Sequence, residues 1–198
     1  MSSNMDKIIH IADMDIKYQL DYRDILYPRL EFKTGDLLLV LPKNYEDEED
    51  LINKHKGWIV KKRNEIIEAL QKTNNRKLVK TRDKEAFKEY VIKIAEQYSE
   101  ELHLNAKSIV FKKMKSKWAS CSSKKNLTVN TLLRYLPNDL IKYVIFHEIT
   151  HLIEREHNEK FWRKITQKFK KHNTYEKDLL VYWFLVQNEN YIKKSEYT

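Results

Sequence analysis

The chain has 198 residues, 41% of them apolar, with 38 Lys+Arg against 29 Asp+Glu for a formal net charge of +9. That length and apolar fraction suffice for a packed core and exclude a disordered chain, and the lack of any apolar run of about 18 residues excludes a membrane-spanning helix. The opening MSSNMDKIIHIADMD has no basic stretch leading into a long apolar core, and the single cysteine, Cys121, has no partner for an internal disulfide, so a cytoplasmic protein is expected. The positive charge admits nucleic-acid contact through a basic surface. Most lysines, however, are scattered among glutamates along the expected helices, as on an ordinary solvated face.

In chain order, residues 6–41 read as β structure. Ile8, Ile16, Tyr18, Leu20, Leu30 and Phe32 fall in short alternating segments, and Leu37 to Leu41 form a continuous apolar run after Gly35-Asp36. Pro28 is expected at a turn or strand edge, and Pro42 at the end of the apolar strand. Residues 46–72 predict a helix opened by acidic residues, with Gly57 marking a break between a short and a longer piece. Residues 73–81, TNNRKLVKT, read as a linker, and Ala86 to Leu102 as a long amphipathic helix. Three short strands follow, over Ser108–Met114, Lys117–Ser122 and Leu127–Leu133. A last helix is predicted over about 175–188, with a frayed tail YIKKSEYT.

The chemistry lies in Tyr143 to Trp162, around His147-Glu148-Ile149-Thr150-His151. On a helix, residues four apart differ by about 40° in direction, so both imidazoles can reach one Zn²⁺. Glu148 can then stand beside the metal's open position and take a proton from a water there. The flanking Val144, Ile145, Phe146, Ile149, Leu152 and Ile153 predict a buried helix, where histidines and a glutamate need partners that a metal supplies. Zinc requires a third ligand, and His157 is favoured over Glu154, Glu156 and Glu176. Six helical steps amount to about 240°, so the helix must end before His157. Asn158 is the expected cap of the next helix, whose Phe161, Trp162, Ile165 and Phe169 should pack behind the zinc helix. No glycine is present to make that turn. Cys121 as a nucleophile is disfavoured, because Glu148 and the histidines already supply a mechanism. Oxyanion-stabilising candidates are Arg134, Tyr135, His172 and Tyr175.

Trp118-Ala119-Ser120-Cys121-Ser122-Ser123-Lys124, then Leu127-Thr128-Val129-Asn130, then His147-Glu148-x-x-His151, then His157-x-x-x-Phe161-Trp162 resemble, in order and spacing, the signature of the YgjP-like metallopeptidases. These are small zincins related to the SprT-like and Wss1-like proteases. The resemblance implies an α+β fold in which a small sheet backs the H-E-x-x-H helix beyond a β-rich N-terminal part. With the linker at 73–81, residues 1–72 read as N-terminal strands and helix and 73–198 as the zincin-like domain, expected to pack as one unit. The resemblance also implies zinc on His147, His151 and His157, with Glu148 as the base that hydrolyses a peptide or protein substrate. A peptide would lie along the segment holding Trp118, Ala119 and Ser120. Two other readings stand beside it: a DNA-associated SprT-like protease, and a zinc-bound module that binds a partner without catalysis.

Overall fold

A computed structural model describes residues 7–33, 35–104 and 107–195. The chain forms two compact units, divided between Gln71 and Lys72. In the first, β1 (Lys7–Ile11), β2 (Met14–Arg23), β3 (Arg29–Lys33) and β4 (Asp36–Pro42) form a sheet of order β1-β2-β4-β3, followed by helix α1 (Glu48–Lys72). Strands β2 and β4 are parallel and the other pairs antiparallel. β4 lies between two neighbours, which explains its unbroken apolar run: Leu37 to Leu41 are all buried. Ala12 and Asp13, at φ 47° and 61°, make the two-residue turn that joins β1 to β2. Pro28 falls in the loop before β3.

The expected break at Gly57 does not occur. Helix α1 runs unbroken for 25 residues, with Glu48, Glu49 and Asp50 in its first turn. Its buried Leu51, Ile52 and Ile59 pack against Ile16, Leu37, Leu39 and Leu41 of the sheet, and that burial outweighs the cost of one helical glycine, about 1 kcal/mol relative to Ala. A Cβ at Gly57 would meet no atom within 4 Å. Gly57→Ala is therefore expected to stabilise the protein by about 0.5–1 kcal/mol, read as a higher urea midpoint. A lower midpoint would mean that the glycine is needed for a backbone motion of α1.

The second unit carries α2 (Lys84–Glu101), β5 (Ser108–Lys112), β6 (Ala119–Cys121), β7 (Asn126–Asn130), α3 (Asn138–Thr150), α4 (Glu159–Lys168) and α5 (His172–Ser195). The segment read as a linker is tied down at several points. It opens with a 3₁₀ turn at Thr73–Asn75, and the Val79 amide donates to the Tyr135 carbonyl at 2.8 Å. Just beyond it, Arg82 donates to the carbonyls of Arg134 and Leu136 and to Asn138 Oδ1, holding the start of α2 to the start of α3. Asp83 caps α2 by accepting from the amides of Glu85 and Ala86.

The sheet has the order β5-β7-β6, with β5 parallel and β6 antiparallel to β7. The strand expected to reach Leu133 ends at Asn130, and residues Thr131–Tyr135 wind into a 3₁₀ turn. Asn130 forces that ending. Its buried side chain accepts from the Leu132 amide and donates to the carbonyls of Met114 and Lys117, at 3.0 and 2.7 Å. The same bonds fix the loop that delivers β6. Edge strand β6 packs against α3, so the protein is α+β, with a small sheet beside the helix that carries the histidines. Helix α5 begins at His172, earlier than expected, and continues to Ser195; the last three residues of the tail expected to fray lie outside the described residues. Among the described residues no helix is long and apolar enough to cross a membrane.

Candidate active site

Helix α3 is apolar on most of its circumference because it is the central element of its unit. Leu140, Ile141, Tyr143, Val144, Ile145, Phe146 and Ile149 are all buried. His147, Glu148 and His151 line the cleft beside it. Buried Thr150 satisfies its hydroxyl by donating to the Phe146 carbonyl at 2.8 Å. The helix ends at Thr150, whose carbonyl takes the amides of Ile153 and Glu154. The chain then turns with no residue at positive φ between His151 and Asn158, which is how it dispenses with a glycine. Asn158 closes the turn as the N-cap of α4, its side chain accepting from the Phe161 amide at 3.0 Å.

This turn brings His157 back over α3. Its Nε2 lies 3.0 Å from His147 Nε2, and ligand atoms of His147, His151 and His157 all fall within 4.8 Å of one another. Phe161, fully buried at the start of α4, holds all three rings: it stacks on His151 at 4.7 Å and meets His147 and His157 edge-on at 4.9 and 4.7 Å. His151 Nδ1 donates to the Glu154 carbonyl at 3.0 Å, which leaves Nε2 as the free lone pair.

The remaining candidates for third ligand stand apart from this cluster. The Glu154 side chain accepts from Asn158, Glu156 is exposed, and Glu176 approaches the opposite nitrogen of His147, its Oε1 3.8 Å from Nδ1. Glu176 accepts a hydrogen bond from the buried Tyr143 hydroxyl.

The electrostatics suit a cation. Burial, then the neighbouring His151 and His157, push His147 down to about 3; burial and His151 also lower His157. Both rings are therefore neutral at pH 7, the form that binds a metal. The Nε2 atoms of His147 and His157 stand 3.0 Å apart and His151 Nε2 faces the same point, so at most one lone pair of the cluster is met by a neighbouring N–H, a costly arrangement that a shared metal relieves. The three histidines thus fit a metal ion.

Glu148 lies next to this cluster, its carboxyl pushed up to about 7 by burial, against the Cys121 amide that donates to it and the charge of Lys117. Cys121 thus contributes its backbone, while burial raises its thiol to about 11, away from a nucleophile's range. In β6, the pairing of Trp118 with Asn130 and of Ser122 with Asn126 turns the main-chain groups of Ala119 and Cys121 to the free edge and those of Ser120 toward β7.

Lys117, Trp118, Ala119, Ser120 and Cys121 line one side of a cleft of about 510 Å³, with His147, Glu148, His151 and His157 across it. Trp118 is half-buried, its indole donating to the Leu179 carbonyl. None of the four oxyanion candidates lines the cleft: Arg134 lies over the Tyr135 ring at 4.6 Å, His172 packs on Trp162, and Tyr175 packs on Tyr143. Tyr143, Arg155 and Glu176 do line it: Tyr143 lies one turn before His147 on α3, Arg155 in the turn that follows, and Glu176 arrives from α5, a placement that depends on how that helix packs.

Comparison with known proteins gives the family of the chain. Residues 68–181 match the family described as YgjP-like, metallopeptidase domain. Among solved structures, the metallopeptidase zymogen jannalysin of Methanocaldococcus jannaschii is 30% identical over 45% of this chain and 84% of its own, with a TM-score of 0.40. The zymogen abylysin of Pyrococcus abyssi is 23% identical over 40% of this chain and 79% of its own, with a TM-score of 0.37. No curated protein matches the chain. The matched segment takes in more than half of the 198 residues, including β5 to β7, the three histidines and Glu148, and the chain belongs to the YgjP-like metallopeptidase family.

Proposed function

We propose that the protein hydrolyses peptide bonds using zinc held by His147, His151 and His157, with Glu148 as the general base. The observation that carries this reading is the convergence of three histidines beside a buried carboxylate, below a strand edge with free main-chain groups. Three imidazoles and no thiolate suit zinc with one position left open. Zinc bound there would supply a Lewis acid that polarises the scissile carbonyl and makes a water acidic. Glu148, set in the cleft beside the three histidines, is placed to take a proton from the attacking water and to return it to the leaving amine. The Cys121 amide keeps the carboxylate facing the cleft. His151 is oriented by the Glu154 carbonyl, and His147 and His157 by Phe161.

The substrate's extended backbone pairs with the free edge of β6 through Ala119. Trp118 and Ser120 line the cleft beside it. Elemental analysis should find about one zinc per chain, and cleavage of an unfolded protein should stop on chelation and return with added zinc. Cleavage insensitive to chelation, or protein purified without any transition metal, would overturn the reading. The strand's role has its own test. The Ala119 amide is not part of the β6–β7 ladder, so Ala119→Pro removes an edge donor without breaking the sheet. Peptide cleavage should fall by about tenfold or more with zinc content and circular dichroism unchanged. Full activity in a folded variant would move the substrate away from this strand.

A further inference from the structure

The mixing of lysines with glutamates seen in the helices stops at the second sheet. Between Glu101 and Asp139 the chain has no acidic residue, although it has 29 elsewhere; this stretch carries seven lysines and Arg134 and contains β5, β6 and β7 entire. The lysines bracket the edge strand. Lys113, Lys115 and Lys117 lead into β6, and Lys124 and Lys125 follow it, all of them exposed. Lys117 lines the cleft, and across it so does Arg155, exposed in the turn between His151 and His157. None of these six cations is paired with a carboxylate among the described residues. The cleft also holds two carboxylates: Glu148, on which the charge of Lys117 acts, and Glu176, which accepts from the Tyr143 hydroxyl. With five exposed lysines and Arg155 around it, the rim carries an excess of positive charge over the groove.

We propose that this cleft selects acidic peptide segments, with Asp or Glu side chains on both sides of the scissile bond meeting Lys117, Arg155 and the lysines at the two ends of β6. The inference rests on the peptide-hydrolase reading above and gives it a substrate class. Main-chain pairing at Ala119 is blind to side chains, so discrimination falls to what lies beside the strand. β6 spans three residues, about 10 Å at strand rise, so a peptide laid along it brings side chains a few positions apart to both cationic ends. An exposed charge pair is worth about 1.4–5-fold in affinity, so three such contacts together amount to about 3- to 100-fold at low ionic strength.

A peptide fits this groove better than nucleic acid. The free groups of β6 pair with amides, and single-stranded nucleic acid prefers exposed aromatic platforms. The aromatic residues lining the cleft do not offer one: Tyr143 is buried, and Trp118 packs edge-on against Trp183 at 5.0 Å.

The test uses zinc-loaded full-length protein and fluorogenic peptides of equal length with one central sequence, flanked on both sides by Glu/Asp, Gln/Asn or Lys/Arg. The expected kcat/KM order is acidic, neutral, basic, with about tenfold or more between the extremes at low salt and a smaller ratio as salt is added. In Lys117→Glu/Arg155→Glu the ratio of acidic to basic substrate should collapse or invert; Lys117→Gln/Arg155→Gln serves if the reversal disturbs folding. Equal rates for the three peptides, or the same order in the double variants, would overturn the proposal. Anisotropy with the same peptides on Glu148→Gln protein separates the two readings. An acidic preference in binding without cleavage by the wild type supports the charge selection and sinks the hydrolase reading, whereas cleavage without preference does the reverse. A labelled single-stranded oligonucleotide that binds through Lys117 and Arg155, while the peptides are not discriminated, would overturn the proposal in favour of nucleic acid.

Discussion

Glu148→Gln is expected to leave the metal and the fold in place and to slow peptide cleavage by about 10²–10⁴-fold, the usual contribution of a positioned general base. The substitution keeps the side chain's size, and the glutamine carbonyl oxygen can still accept from the Cys121 amide, so β6 keeps its position against α3. What is lost is an oxygen able to take a proton. The three histidines are untouched, so zinc content should match the wild type, and the loss should appear in kcat more than in KM. Removing a carboxyl that burial has pushed up to about 7 also removes a group whose charged form is costly to bury. Stripped of metal, the variant should therefore unfold no more readily than the wild type at pH 8. If Glu148→Gln cleaves at the wild-type rate, the carboxylate is not the base. If neither protein cleaves anything while both hold zinc and bind a partner, the reading as a non-catalytic module stands.

His157→Ala is expected to lower zinc affinity by more than the 10–100-fold typical of losing an outer hydrogen-bond partner of a metal site, because a ligand itself is removed. Activity should fall with it. His157 is the third converging imidazole, its Nε2 3.0 Å from that of His147. Glu154→Ala is the instructive control: the contact to His151 comes from the Glu154 carbonyl, which survives the substitution, so zinc binding should change little. Glu156→Ala should be silent. Glu176→Ala should have an intermediate effect, since Glu176 stands near the far nitrogen of His147 and not at the convergence of the three rings. Competition with a chromophoric chelator would rank the four variants. A larger loss in Glu176→Ala than in His157→Ala would make the site one of two histidines and a carboxylate.

The parts of this site that could be read in the sequence are those set by neighbours along the chain. The spacing of His147 and His151, the end of the helix before His157 and the cap at Asn158 all lie within one helix, one turn and the start of the next. What could not be read depends on distant segments meeting. The end of β7 follows from Asn130 bonding to Met114 and Lys117, and the amide on Glu148 comes from Cys121, 27 residues earlier. Residues chosen as oxyanion stabilisers for their chemistry alone fell outside the cleft, because nothing local records which face of α5 or of the 3₁₀ turn looks toward it. Gly57 misled for a different reason: a glycine weakens a helix by about 1 kcal/mol, and the buried isoleucines on either side, Ile52 and Ile59, outweigh that.

The free edge of β6 also bears on how the protein behaves in concentrated solution. A strand with unpaired amides and carbonyls is a template for a strand from another copy, and long flat edges of this kind seed aggregation. This edge is three residues long, and one of its outward amides, that of Cys121, is already held by Glu148. Two copies brought edge to edge would also bring like charges together at both ends, Lys117 at one and Lys124 and Lys125 at the other. The edge is thus open enough for a single extended chain and too short and too charged to join sheets into a fibre.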